Sequence, residues 1–542
     1  MKKYTIWAIL LLVSLQGFAQ QGILQTPPKN WFNLDPVENK VNGVSTEKAY
    51  ELLKGKTSQK VIVAVIDSGI DIEHEDLKDV IWTNPREIPN NGIDDDNNGY
   101  IDDVHGWNFI GGKDGRNVGK DSYEVTRYYK ILSKKYEGKE QKDIDKKDRE
   151  EFITWQKVKG QFEEAYGKAR MEFEQYGSLA RQIERFNKLF EAYMDVEEVT
   201  VTTLAEIESQ DAVIDLGKNY MTQILQSIDE EISLDSVLVL INMDLAEMEA
   251  SAKYSYGLEY DAREIVGDDP NNLAEKGYGN NDVSGKGTDN FHGTHVAGII
   301  AASRGNGIGT DGVANNVSIM AIRVVPDGDE RDKDVANGIR YAVDNGAKII
   351  NMSFGKAYSP NLQYVYDAIE YANSKGVLLV HAAGNSGEDI DESNNYPNDK
   401  FGKKGDWANW IEVGASSWGA EDQYVGDFSN YGDKTVDLFA PGVAIYSTAP
   451  GNTYQDAQGT SMASPVTAGV AAMLLSYFPD LNADQLKDIL MKSVRKLDGI
   501  KVTKPGTFDQ EVNFSKLSKS GGIINAYEAV KMAESMTLGK KK

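Results

Sequence analysis

The chain has no cysteine among its 542 residues. It can be neither a disulfide-stapled domain nor a protein acylated on cysteine, so outside the cytoplasm its stability has to come from a large core or from bound ions. It also lacks, beyond its first residues, any apolar run approaching the roughly 20 residues that cross a bilayer, and no stable membrane span is expected. Positive charge is scarce: 58 Lys and Arg stand against 84 Asp and Glu, a formal net charge of −26. That balance opposes binding to a phosphate backbone, so nucleic acid is not expected as a partner, and it leaves carboxylates to spare for divalent cations. Histidine is limited to His74, His105, His292, His295 and His381, which shortens the search for a general base.

What is present begins with Lys2 and Lys3, an apolar stretch over residues 4–15, and small residues at Gly17 and Ala19. This is the pattern of a secretory signal cut after Ala19, and it predicts export, either to a periplasm or out of the cell. Residues 20–44 carry Pro27, Pro28 and Pro36 and read as an extended arm. The run over residues 61–66 is largely β-branched, continuous rather than alternating, and ends on Asp67. It reads as a fully buried parallel strand. Further strands over 317–325, 347–352 and 376–382 alternate with helices over 335–345 and 362–374. Such an order predicts an α/β fold with a doubly wound, mostly parallel sheet, whose active site lies at the carboxyl ends of the strands.

Residues 120–265 have a different texture, rich in Glu, Lys and Tyr. Phe152, Trp155, Val158, Phe162, Tyr166, Phe173, Ile183, Phe186 and Phe190 recur mostly at helical steps, and a second block follows over 211–240. Both predict a large α-helical insertion, with the aromatic stripe serving as core. The expected organisation is therefore a discontinuous α/β domain over 45–119 and 266–535, the insertion over 120–265, and a basic tail over 536–542. The insertion is a candidate surface for a partner or for self-association.

Three segments carry chemistry. His292 sits in Asn290-Phe291-His292-Gly293-Thr294-His295, where a helix of small apolar residues begins. A metal pair of His292 and His295 is the competing reading, but no glutamate stands between them as in a zinc peptidase. Ser461 lies in Gly459-Thr460-Ser461-Met462-Ala463-Ser464-Pro465, at the positive end of a second helix whose first turn Pro465 suits. Asp67 ends the strongest strand and can fix the tautomer of a histidine ring and stabilise its imidazolium. The chain order Asp, His, Ser differs from the chymotrypsin and α/β-hydrolase orders, and there is no G-x-S-x-G elbow. Separately, Asp94, Asp96, Asn98, Gly99 and Asp102, with the Tyr100 carbonyl, alternate oxygen ligands as the first half of an EF-hand loop does, which predicts calcium; His105 takes the place of the closing glutamate. Gly307-Ile308-Gly309-Thr310-Asp311-Gly312 satisfies G-x-G-x-x-G but precedes a strand, so it is not read as a dinucleotide site.

The three segments around Asp67, His292 and Ser461 resemble the aspartate, histidine and serine motifs of the subtilisin-like serine peptidases, the subtilase family, over about half of the chain. The resemblance implies an endopeptidase acting on protein or peptide substrates. It implies that Asn385, in Ala383-Gly384-Asn385-Ser386, donates to the oxyanion together with the Ser461 amide. It further implies that Ser353, Phe354 and Gly355 form an edge strand that pairs with extended substrate, beside Gly384, and that Asp76 and Asn306 contribute to a structural calcium site, with Arg304 nearby in the loop. Two features depart from the family. Only about 40 residues separate the signal from the first strand, too few for the usual N-terminal prodomain, and the connection from Asp67 to His292 exceeds 200 residues. The alternative is a silent scaffold that binds through its insertion, and it would predict a broken triad.

Overall fold

The computed structural model describes residues 26–228, 232–400 and 407–539. The expected signal lies outside the described residues. Nine strands form the main sheet: β1 (Val61–Asp67), β2 (Gly106–Asn108), β3 (Val317–Arg323), β4 (Ile349–Met352), β5 (Leu378–Ala382), β6 (Trp410–Ser416), β7 (Leu438–Pro441), β8 (Arg495–Lys496) and β9 (Gly522–Ile523). Their order is β8-β9-β7-β6-β5-β4-β1-β3-β2, and every ladder is parallel except β8 with β9. The expected doubly wound sheet is thus present. From β1 the chain crosses to the edge strand β2, fills in β3 between the two, then returns past β1 to build β4 to β7 on the other side. The connections diverge at β1, which places the crevice of an open α/β sheet at the end of β1, where Asp67 stands.

Alternation along the strands explains the two helical layers. Val63, Val65, Ile319 and Ala321 face one core, shared with α8 (Phe291–Ala301) and α11 (Thr460–Tyr477). Ile66 and Ile322 point the other way, against Gly338 of α9 (Asp332–Asp344), as a period of two requires. Between α9 and α11 lies α10 (Leu362–Ser374). The strand expected to reach residue 325 stops at Arg323, because the Val324 and Val325 N–H groups both turn to the Asp67 carbonyl. The loop over 307–312 joins helix α8 to strand β3, the reverse of a dinucleotide-binding connection. No described helix is long and apolar enough to cross a membrane.

The described residues divide into two compact units, one over 125–260 and one over 27–124 with 261–539. The first is helical and lies between the aspartate and histidine segments. Its chain runs through α2 (Glu124–Tyr136), the 46-residue α3 (Arg149–Met194), α4 (Val201–Ala205), α5 (Ala212–Ile228) and α6 (Leu234–Ala250). At 1.5 Å per residue α3 is about 69 Å long. Phe152 and Trp155 bury with Leu132 and Tyr136, while Ile183 and Phe190 bury with Met221, Leu225 and Val237. Most of the stripe is core, as its spacing predicts, while Tyr166, Phe173 and Phe186 are half-buried. A separate helix starts at Leu234 because Ser233 caps it, accepting from the Ser236 N–H.

The second unit anchors both flanks of this excursion on the start of α9. Before it, Asp121 pairs with Arg331, and Glu124 with the buried Lys356, which also holds Asp332. After it, Arg263 pairs with Asp268 and Asp334, and Lys333 with Asp268 and Glu275. Asp332, Lys333 and Asp334 are consecutive residues of α9, so one turn of helix receives both flanks.

Candidate active site

Asp67 is the last residue of β1 and is 1% exposed. Its Oδ1 accepts from the His292 Nδ1–H at 2.7 Å and from the Ser68 N–H at 2.7 Å. Oδ2 is buried without a partner among the described residues, so its negative charge remains for an adjacent imidazolium. His292 is the second residue of α8, which starts one residue earlier than the sequence suggests. Gly293 lets the helix come this close to β1: a Cβ there would lie 2.2 Å from the Gly69 carbonyl oxygen. Desolvation of the ring disfavours the imidazolium, but the charge and hydrogen bond of Asp67 outweigh it, so the His292 pKa stands above its ordinary 6.5. His295 differs. Burial lowers its pKa to about 4, and its Nε2 donates to the Gln455 carbonyl at 3.0 Å. Each histidine thus commits one ring nitrogen to a protein oxygen, His292 to Asp67 and His295 to Gln455.

Ser461 is the second residue of α11, where backbone N–H groups have no intrahelical acceptor. Its hydroxyl donates to the Ser353 carbonyl at 3.0 Å and makes no hydrogen bond to His292. Pro465 was expected in the first turn and is the sixth residue, because α11 begins at Thr460. A proline has no N–H for the carbonyl four residues back, which is that of Ser461. The Ser353 hydroxyl supplies the missing donor at 2.9 Å. Ser353 and Ser461 are therefore tied reciprocally.

Asn385 follows β5 on a loop. Its Oδ1 accepts from the Thr460 N–H at 2.9 Å and the Thr460 hydroxyl at 3.0 Å. These two donors fix which end of the amide is oxygen and leave its Nδ2 hydrogens without a partner among the described residues. Asn430 clamps the same loop: its Oδ1 accepts from Ser386 and Glu388 N–H, and its Nδ2 donates to the Ala383 carbonyl. Gly384 has φ +100, and a Cβ there would meet the Asn430 amide at 2.5 Å. Its N–H donates to the Thr460 hydroxyl and its carbonyl accepts from Asn430 N–H, so what it offers a peptide is a bare Cα.

The expectation of an edge strand at Ser353, Phe354 and Gly355 needs correction. β4 is interior, between β1 and β5. The three residues run on past Met352, the last residue paired to either neighbour, and Lys356 then bridges Tyr396. Any free edge arises because the neighbouring strands have ended.

The calcium residues are placed unevenly. Asp94 accepts from Asn98 and Gly99 N–H, and Asp102 turns away to the Asn91 and Gly92 N–H groups. The Tyr100 ring packs on Trp107, Phe109 and Tyr341. Asp96 and Asn98 reach inward toward Asp103 and, through Asp96, Glu87. Asp76 is buried beside Asn306, whose amide donates to it at 2.6 Å, while the Arg304 guanidinium reaches Glu47 and the Gly312 carbonyl. Missed in the sequence was Arg323, the register partner of Asp67. Its buried guanidinium donates to the Ser68 and Val118 carbonyls and to the Thr288 hydroxyl. A lone charged residue ending a fully buried strand is the signal that could have marked it.

A parallel sheet whose switch point gathers an aspartate, a histidine and a helix-start serine, in that chain order, defines a subtilisin-like architecture. A family model described as Subtilase family, peptidase S8, matches residues 58–515, and the chain belongs to that family. It is similar to the thermophilic serine proteinase of Bacillus sp. strain AK1, 38% identical over 245 residues, 44% of this chain and 52% of that protein. It is similar to thermitase of Thermoactinomyces vulgaris, 38% identical over 44% of this chain and 75% of that protein. Subtilisin DY of Bacillus licheniformis is 39% identical over 38% of this chain and 72% of its own. The matched region thus spans between half and three quarters of these relatives.

Proposed function

We propose that the protein is an exported serine endopeptidase, acting in a periplasm or outside the cell, that hydrolyses protein or peptide substrates through an acyl-enzyme on Ser461. The observation that carries the reading is the 2.7 Å bond from His292 Nδ1 to the buried Asp67. It leaves His292 Nε2 as the basic edge of the ring. In the first step the Ser461 hydroxyl leaves the Ser353 carbonyl, gives its proton to Nε2 and attacks the scissile carbonyl carbon. The resulting imidazolium is balanced by Asp67 and then protonates the leaving amine. The oxyanion forms between the Asn385 Nδ2 hydrogens and the Ser461 N–H, at the positive end of α11. Water repeats the sequence on the ester. Residues 353–355 hold the substrate backbone by strand addition past the end of β4. Casein hydrolysis by the intact protein and by Ser461→Ala tests the reading, and equal rates would refute it.

Calcium is expected in a structural role. At the Asp76 loop the donors are hard oxygens: the buried Asp76 carboxylate, the Asn306 amide oxygen once the amide is turned, and the Thr310 hydroxyl, which is buried without a partner. That set fits calcium. The helical insertion, residues 120–265, is read as gating the cleft or docking a partner or a second copy. Its removal should then change turnover, oligomeric state or folding, and a deletion that alters none of them would refute this.

A further inference from the structure

Residues 84–105 form a long loop between β1 and β2, and folding gathers there a set of oxygens that the spacing of the acidic run does not suggest. We propose that Glu87, Asp96 and Asp103 together hold one calcium ion, which fastens this loop to α9. One carboxylate oxygen from each lies within 4.8 Å of the other two. None is a surface group: Glu87 is 7% exposed, Asp103 0%, and the Asp96 side chain 3%.

Three acidic residues together are not by themselves a site, but the details here point to a ligand. Glu87 uses Oε1 to accept from the Asp96 N–H at 3.2 Å, while its Oε2 is buried with no partner among the described residues. An ionised carboxylate oxygen left bare in this way is costly unless something positive meets it. Around the cluster the neutral donors are already placed. The Asn84 amide reaches Asp103 at 3.1 Å and Asp96 at 3.3 Å, the Asn98 amide reaches Asp103 at 3.0 Å, and the Tyr341 hydroxyl of α9 donates to Asp103. They hold the carboxylates in position without neutralising them. Among the described residues the single ion pair on the three is Arg86 to Asp96, 3.0 Å long and half exposed on the arginine side. Three negative charges against one positive leave two, the charge of one divalent cation.

An all-oxygen donor set on a loop selects calcium over zinc or copper, and calcium's irregular coordination suits it better than the near-ideal octahedron magnesium demands. Occupancy would rigidify the path into β2, which pairs with β3 beside β1. It would also join the loop to α9 through Tyr341, next to the contact from Arg86 to Asn345.

The test uses the full chain carrying Ser461→Ala, so that self-digestion cannot be mistaken for instability and the result does not depend on peptidase activity. After chelation, calcium binding is measured by calorimetry, and thermal midpoints are measured with and without calcium, before and after adding Glu87→Gln. The expected result is one calcium lost from the stoichiometry, or its affinity weakened at least tenfold, with a smaller calcium-induced rise in midpoint. The chelated Glu87→Gln protein should melt higher than its parent, because a repulsion has been removed, and a folding defect could not produce that reversal. Equal stoichiometry and an equal calcium-induced rise in both proteins would overturn the proposal, as would equal binding of magnesium. A second readout is terbium luminescence excited through the aromatic rings: Tyr341→Phe should lower the emission and calcium should displace it. Emission unchanged by Tyr341→Phe and by calcium would also overturn it.

Discussion

Replacing Asn385 separates its two functions, because the two ends of its amide do different work. Oδ1 is held by the Thr460 N–H and hydroxyl, while the Nδ2 hydrogens have no partner among the described residues. Asn385→Ala removes both ends. A donor aimed at a developing oxyanion is worth about 10²–10³ in turnover, roughly 2.7–4 kcal/mol, a range set by a subtilisin donor of this kind. Asn385→Asp keeps an acceptor for Thr460 but puts a carboxylate where the oxyanion forms, so it should be slower than Asn385→Ala. Thr460→Val leaves Nδ2 in place and removes one of two anchors, a loss of about 1 kcal/mol or roughly fivefold in turnover. It also strips the Gly384 N–H of its acceptor. The assay is steady-state cleavage of a chromogenic peptide, and the losses should fall on kcat with KM little changed. Asn385→Ala within about threefold of the parent, or Asn385→Asp faster than Asn385→Ala, would refute the assignment.

Other outcomes follow from the same contacts. His292 must be unprotonated to act as a base and its pKa lies above 6.5, so kcat/KM should rise with pH through an apparent pKa above that value. Asp67→Asn removes the charge that raises it, which should move this limb to lower pH and cut the rate by about 10⁴. Ser353→Ala takes away the hydroxyl that replaces the missing Pro465 N–H at the Ser461 carbonyl, and should cost about 1–3 kcal/mol in urea unfolding. Lys356→Met leaves Glu124 and Asp332 without their shared cation. The lysine and both acids are nearly fully buried, so a loss of about 3–5 kcal/mol is expected, and a shift below about 1 kcal/mol would show that the cluster is not held by charge.

Much of the sheet was legible because a buried parallel strand announces itself locally. The run ending on Asp67 needs no distant partner to be read, and neither do the small-residue helices that begin beside His292 and Ser461. The helical unit was legible for the same reason, since an aromatic stripe at steps of three and four encodes its own buried face. What stayed hidden depends on contacts far apart in sequence. Tyr341 meets Asp103 across 238 positions, and Arg323 reaches Ser68 across 255. Spacing grouped Asp102 with Asp94, whereas the chain turns Asp102 to the Asn91 and Gly92 N–H groups and brings in Glu87 and Asp103 instead. The interior place of β4 was equally unreadable, since sheet order is a property of the whole fold. The position of Pro465 in the second turn could not be seen either, because the Ser353 hydroxyl that makes it tolerable lies 108 residues from Ser461.

The most direct measurement is to treat the intact protein with a fluorophosphonate, digest it and weigh the labelled peptide. A serine made nucleophilic by His292 should carry one adduct on the peptide containing Ser461. That adduct should vanish in Ser461→Ala and form far more slowly in His292→Ala. Labelling at another serine, or equal labelling of the intact protein and Ser461→Ala, would contradict the account.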